Sequence, residues 1–154
     1  MASSVDCERI ASIQTTMRQM RLLHAQLLDH VAVLEQEQVA LRVGYSSTPR
    51  LLAEVLHLTQ AQATKLLVHA GLVTETMTPT GHVTPAPLPN VREALHEGAI
   101  DPAHLDAIAA TIKQIPDWAS SEVRDLVEKT LADTARCENS RVVRKLYGDR
   151  KSVV

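Results

Sequence analysis

Aromatic residues are almost missing from this sequence: no Phe, one Trp and two Tyr among 154 residues. A core must then be built from Leu, Val, Ile and Ala. That suits helices packed on helices better than a β-sandwich, where aromatic and β-branched side chains are enriched. Cysteine is nearly absent too. Cys7 and Cys137 stand alone and far apart, which fits neither a disulfide framework nor a zinc knuckle. No apolar run approaches the roughly 20 residues of a membrane span, and the opening MASSVDCERIAS lacks the basic start and apolar stretch of a signal peptide. A soluble, cytoplasmic chain with no membrane partner is expected.

Recognisable catalytic motifs are missing as well. There is no Gly-rich phosphate loop, no GxSxG and no HExxH. The seven histidines do not fall at ligand spacing. His24 and His30 are six apart, on different helix faces. His57 and His69 are separated by a helix break, as are His96 and His104. No metal, cofactor, small-molecule ligand or catalytic residue is therefore expected, and the chain is read as not an enzyme.

What is present is 45% apolar residues, enough for one domain's core, and a formal net charge of −2. The charge is unevenly spread. Between Arg136 and Lys151 stand Arg136, Arg141, Arg144, Lys145, Arg150 and Lys151 against Glu138 and Asp149, giving that segment +4 and the remainder −6. Such a segment is either a solvated helix end or a phosphate-facing patch.

From Ile10 to Leu41 a heptad persists. One row reads Ile10, Met17, His24, Val31 and Gln38, and the other Ile13, Met20, Leu27, Leu34 and Leu41. Without Pro or Gly, this predicts a helix about 48 Å long, ended by Gly44. Two readings stay open. The helix lies across its own domain as a core element, or it pairs with a second subunit through Ile13, Met20, Leu27 and Leu34. His24 and Gln38 would then set register.

Leu52 to Leu66, LAEVLHLTQAQATKL, has the pattern of a helix-turn-helix. A helix over about 49–57 meets a break at Leu58-Thr59, with His57 where Gly is usual. Thr59 caps the next helix, Gln60 to about Ala70, which Gly71 closes. That geometry offers Gln60, Gln62, Thr64, Lys65 and His69 to a major groove, Gln to adenine and Lys65 to guanine or phosphate. Two packed helices with a short corner would give the same pattern. Thr74 to Asn90 holds four prolines and Gly81, so it reads as an extended connection with a hairpin turn at Thr80-Gly81. Asn90 is expected to cap a helix that Gly98 ends. Asp101-Pro102 starts another, reaching about Ile115, and this second corner, exposing Asp106 and Lys113, reads as structural. Ser120 or Ser121 starts a helix with Val123, Leu126, Val127, Leu131 and Ala135 on one face. A last turn or two carries Val142, Val143 and Leu146, with Gly148 as its end.

The string TPTGHVTPAPLPNVREALHEGAIDPAHLDAIAATIKQIP resembles the central block of the 13E12 repeat family, the domain of unknown function 222, abundant in mycobacteria and other actinobacteria. The resemblance rests on Gly81, Leu88-Pro89, the Gly98 corner, Asp101 to His104 and the closing Ile115-Pro116. LLAEVLHLTQAQATKLL and TARCENSRVVRKLYGDR also fit. It covers roughly Tyr45 to Arg150, more loosely the first helix. It implies a helical domain of the kind that precedes an HNH endonuclease module, with that module's motif absent here, so that no catalytic residue carries over. A truncated remnant is one reading of that absence.

The expectation is an all-α bundle, one domain overall. Its parts are a long heptad helix (1–43), a helix-turn-helix-like unit (44–73), a Pro/Thr-rich connection (74–89), a C-terminal helical part (90–148) and a frayed tail (149–154). The expected function is DNA-associated binding or regulation, with Gln60, Gln62, Thr64, Lys65, Arg136, Arg141, Arg144 and Lys145 on duplex DNA. The alternative is a homodimeric scaffold acting through the first helix.

Overall fold

Side-chain caps mark most of the helix starts, and packing decides the rest. The computed structural model describes residues 3–151, with side chains through Leu146. Helix α1 (Ser4–Gln36) opens with Ser3 and Asp6 capping each other's backbone, and α3 (Thr48–Val55) opens on Ser47. Helix α4 (Gln60–Val73) opens on Thr59 and α7 (Ser121–Cys137) on Ser120. Each such hydroxyl accepts an amide that the first turn otherwise leaves unpaired, worth about 1 kcal/mol. Between α4 and α5 (Pro89–His96) the connection forms a small antiparallel hairpin, β1 (Thr76–Met77) on β2 (Val83–Thr84). Gly81 supplies its positive φ of 88°. Helix α6 (Pro102–Lys113) and helix α8 (Ser140–Lys151) complete the all-α architecture.

The expected single first helix is broken. It ends at Gln36 with Glu37 as its C-cap, Gln38 takes a left-handed φ of 54°, and a short α2 (Val39–Arg42) follows. No Pro or Gly signals the break. The Gln38 amide instead donates to the Glu35 carbonyl at 2.9 Å, satisfying a helix-end acceptor. Three further boundaries differ from expectation. Helix α4 runs through Gly71 to Val73, because Ala70 and Val73 bury fully there. Helix α8 passes Gly148 to Lys151; residues 152–154 of the expected tail lie outside the described ones. Helix α5 begins at Pro89 rather than on an Asn90 cap. Its N-terminus is satisfied from a distance by Glu128 of α7, a carboxylate only 3% exposed. Glu128 accepts the Val91 amide at 2.9 Å and the Asn90 side-chain amide. A carboxylate at a helix N-terminus gains from both hydrogen bonds and the helix dipole.

The core is aliphatic throughout. Leu28 and Val31 of α1, Leu95 of α5, Leu105 and Ile108 of α6 and Leu131 of α7 are among its fully buried side chains. Each is worth about 1.5–3 kcal/mol of burial. Helix α6 packs on α7 and α8, α1 on α4 and α5, and α3 on α4. On α7 the expected apolar face is only partly used: Leu131 and Ala135 are buried, whereas Val123 and Leu126 are exposed. No helix among the described residues is long and apolar enough to cross a membrane.

Candidate nucleic-acid interface

Helix α4 is placed by its cap. Thr59 accepts the Gln62 amide at 3.1 Å, and Gln62 returns its side-chain oxygen to the Thr59 amide at 3.0 Å. This reciprocal box fixes the helix start and turns Gln62 back on its own backbone. Ala63 and Ala70 face inward, fully buried, leaving Gln60, Thr64 and Lys65 outward.

Helix α6 lies alongside and contributes Asp106. Its carboxylate takes Lys65 Nζ at 3.0 Å on one oxygen and His69 Nε2 at 3.0 Å on the other. Burial pulls the Asp106 carboxyl upward, but the Lys65 hydrogen bond and the charges of His69 and Lys65 outweigh it and hold it below its usual value. His69 is 3% exposed. Burial pushes its imidazole down, and the attraction of Asp106 only partly offsets this.

Outside this trio runs a groove of about 750 Å³ between α4, α6 and α8, with Gln60, Thr64 and Lys65 on one wall, Asp106 and Lys113 on the second and Arg144 on the third. Three cations thus line it against one carboxylate. Arg141 and Lys145, both exposed, flank Arg144 on α8 at one-turn and adjacent positions.

The sequence candidates separate accordingly. Gln60, Thr64, Lys65 and Arg144, drawn from segments about 80 residues apart, meet in one groove. Gln62 is spent in the cap. His69 lies at the base of the groove, 3% exposed and held against Asp106, rather than projecting outward. Arg136 is committed elsewhere. Its guanidinium holds both Glu97 oxygens, at 3.1 and 3.3 Å, and Asp133 at 2.8 Å. Burial draws that guanidinium's pKa down, but Glu97 and Asp133 more than reverse it. Asp106 and Lys113 of the second corner line the groove. Their spacing on α6 was visible in the sequence, but their meeting with α4 was not.

Behind α4 lies a smaller apolar cavity of about 320 Å³, lined by Leu27, Leu56, Leu58 and Leu66 together with His24 and His69. The His24 Nδ1 is buried there and has no hydrogen-bond partner among the described residues. Burial, then the neighbouring His69, lowers its pKa, against a smaller pull from Asp101. Among the described residues no group of three or more His, Cys, Asp or Glu side chains is gathered for a metal.

The candidate dimer residues also divide. Leu27 and Leu34 pack, partly buried, against their own core, while Ile13 and Met20 are 69% and 60% exposed. The middle of the heptad therefore folds onto the protein's own core, while its outer half, and Gln38 and Leu41 beyond the break, face solvent.

No curated protein and no solved structure matches the chain. A family model described as Domain of unknown function (DUF222) matches residues 8–148, nearly the whole helical body including the groove, and the chain belongs to that family.

Proposed function

We propose that this domain is a nucleic-acid-associated binding module that lays a duplex backbone along the α4–α6–α8 groove. The observation that carries this reading is the convergence of Lys65, Lys113 and Arg144 on one open concavity beside Gln60 and Thr64. Cations at spaced positions neutralise successive phosphates, and neutral amides and hydroxyls add positioning contacts. Arg141 and Lys145 extend the basic track along α8. Asp106 works against it by neutralising Lys65 and keeps binding modest. In this reading the domain holds duplex DNA and does not cut it; cleavage belongs to a module of the HNH type.

Fluorescence anisotropy against a mixed-sequence duplex tests this directly. With three to five phosphate contacts, affinity should fall roughly 40- to 500-fold between about 50 and 200 mM salt. Replacing Arg141, Arg144 and Lys145 together by Ala should abolish most of it while leaving the melting temperature in place, since all three are exposed. Asp106→Asn should instead tighten binding several-fold by freeing Lys65. Absence of binding at low salt, or an unaffected triple variant, would overturn the reading.

A further inference from the structure

Among the described residues, nothing covers the outer half of α1. Every residue from Ser3 to Met20 is exposed, and among them Val5, Ile10, Ile13, Met17 and Met20, with Leu23 beyond, are between 41% and 69% exposed. Helix α1 leaves the core where Arg18 and Leu22 pass the α5–α6 corner, and the Arg18 Nε–H donates to the Glu97 carbonyl at 3.1 Å. Local propensity does not explain a helix beyond that point. Ser12, Ile13, Thr15 and Thr16 are indifferent helix formers, and the local support of the free end is its Ser3–Asp6 capping box.

We infer that this face pairs with the same face of a second copy, the two α1 helices running antiparallel about a two-fold axis near Thr15. Three observations select that occupant and that direction. First, the rows are self-complementary. Antiparallel overlap centred on Thr15 sets Ile10 across from Met20 of the partner copy and Ile13 across from Met17 of the partner copy, the alternation a two-fold interface requires. Second, the continuation of the seam, Leu27 and Leu34, is already taken by the protomer's own core. A parallel pair would drive the two cores into each other there, whereas an antiparallel pair leaves them at opposite ends. Third, the charges complement each other only in this sense. The helix tip carries Asp6 and Glu8 with Arg9, and its root carries the exposed Arg18; Arg21, part-buried, is ion-paired with Asp101 of its own protomer. Antiparallel pairing lays each acidic tip along the other copy's root with its Arg18, and parallel pairing sets Arg18 against its own copy. The groove lies on α4, α6 and α8, so pairing leaves it open on both copies.

Sedimentation equilibrium of the full chain should show a dimer. Ile13→Glu with Met17→Glu should weaken it on the order of a hundredfold or more, because two carboxylates enter an apolar seam. The same variant should keep the core's melting transition when both proteins are compared well below the dimer's dissociation constant, since neither side chain is part of the core. Direction is read separately with spin labels on Cys7 in a Cys137→Ser background. Antiparallel pairing predicts a separation of about 25 Å, from 16 residues of helical rise. A wild type monomeric at about 100 μM, a dimer untouched by the double substitution, or Cys7 labels side by side would each overturn the inference. The anisotropy experiment reports on the groove independently, so the two ideas fail separately.

Discussion

The two helix corners use one backbone device in two settings. At each, the residue after the helix is left-handed, His57 at φ 57° and Gly98 at φ 73°. At each, the next amide reaches back five residues: Leu58 to the Ala53 carbonyl at 2.9 Å, Ala99 to the Ala94 carbonyl at 3.1 Å. This is the bonding of a Schellman-type stop. Each is followed by a capping box, Thr59 with Gln62 and Asp101 with His104. The surroundings differ. His57 is exposed, while Gly98 is buried against α1. A Cβ there would sit 2.8 Å from Arg18 Cγ, 3.1 Å from the Arg18 carbonyl oxygen and 3.1 Å from Leu22 Cγ. Glycine is demanded at the second corner by the neighbouring helix as much as by φ. The open corner leads into α4, whose outward face lines the groove; the covered corner anchors α1 where it leaves the core.

The largest effect should therefore come from Gly98→Ala. Left-handed strain and the collision with α1 together should cost about 3 kcal/mol. His57→Ala, which changes a left-handed position in open space, should cost less than about 1 kcal/mol. Urea unfolding of both variants measures the difference. Equal losses would mean that the corners differ in sequence only and that α1 yields easily at Gly98.

Acid should separate the corners next. Behind the open corner, His24 and His69 both have imidazoles lowered from 6.5, chiefly by burial. The unfolded chain therefore binds more protons than the folded one below that value. Their contribution to stability is fully present above pH 6.5 and is lost as pH falls through the folded values. At the covered corner, burial raises the Asp101 carboxyl, but the His104 amide, the His104 charge and Arg21 outweigh it, and its pKa lies below 3.8. That contribution holds above 3.8 and fails only in stronger acid. Amide exchange should then show α4 loosening below about pH 6.5 while α6 stays protected. His24→Leu should flatten this first window, since it removes a buried nitrogen that has no partner among the described residues. Simultaneous loosening of α4 and α6 would contradict the separation.

What could be read in advance follows from the range of each interaction. The caps Thr59 and Asp101, the Gly81 turn and the Gly98 corner act within a few residues, so sequence alone located them; between Ser120 and Ser121 the structure decides, with Ser120 capping α7. The aliphatic composition and helical spacing were enough for an all-α fold. The break at Gln38 escaped because a left-handed Gln has no strong local signal. Glu128 capping α5 spans 38 residues of sequence and Asp106 meeting His69 spans 37; such pairs exist only once helices are docked. For the same reason Arg136 read as a free cation until Glu97 came beside it. The heptad was legible as a pattern over its full length, but the pattern does not say which part finds its own core and which part is left over.

The smallest effect expected is the most direct check of the comparison. His57→Gly relieves a left-handed side chain at a site where nothing packs, so the folded state should gain. Against it stands the extra backbone freedom that glycine gives the unfolded chain, about 0.5–1 kcal/mol. Histidine is also among the residues that tolerate this conformation comparatively well. The two effects nearly cancel, and a net change within about 0.5 kcal/mol is expected. Groove binding to duplex DNA should be unchanged, because His57 is not among the groove's lining residues. A large loss in His57→Gly would show that the imidazole holds the corner through contacts of its own. The open corner would then be as dependent on its side chain as the covered one is on having none.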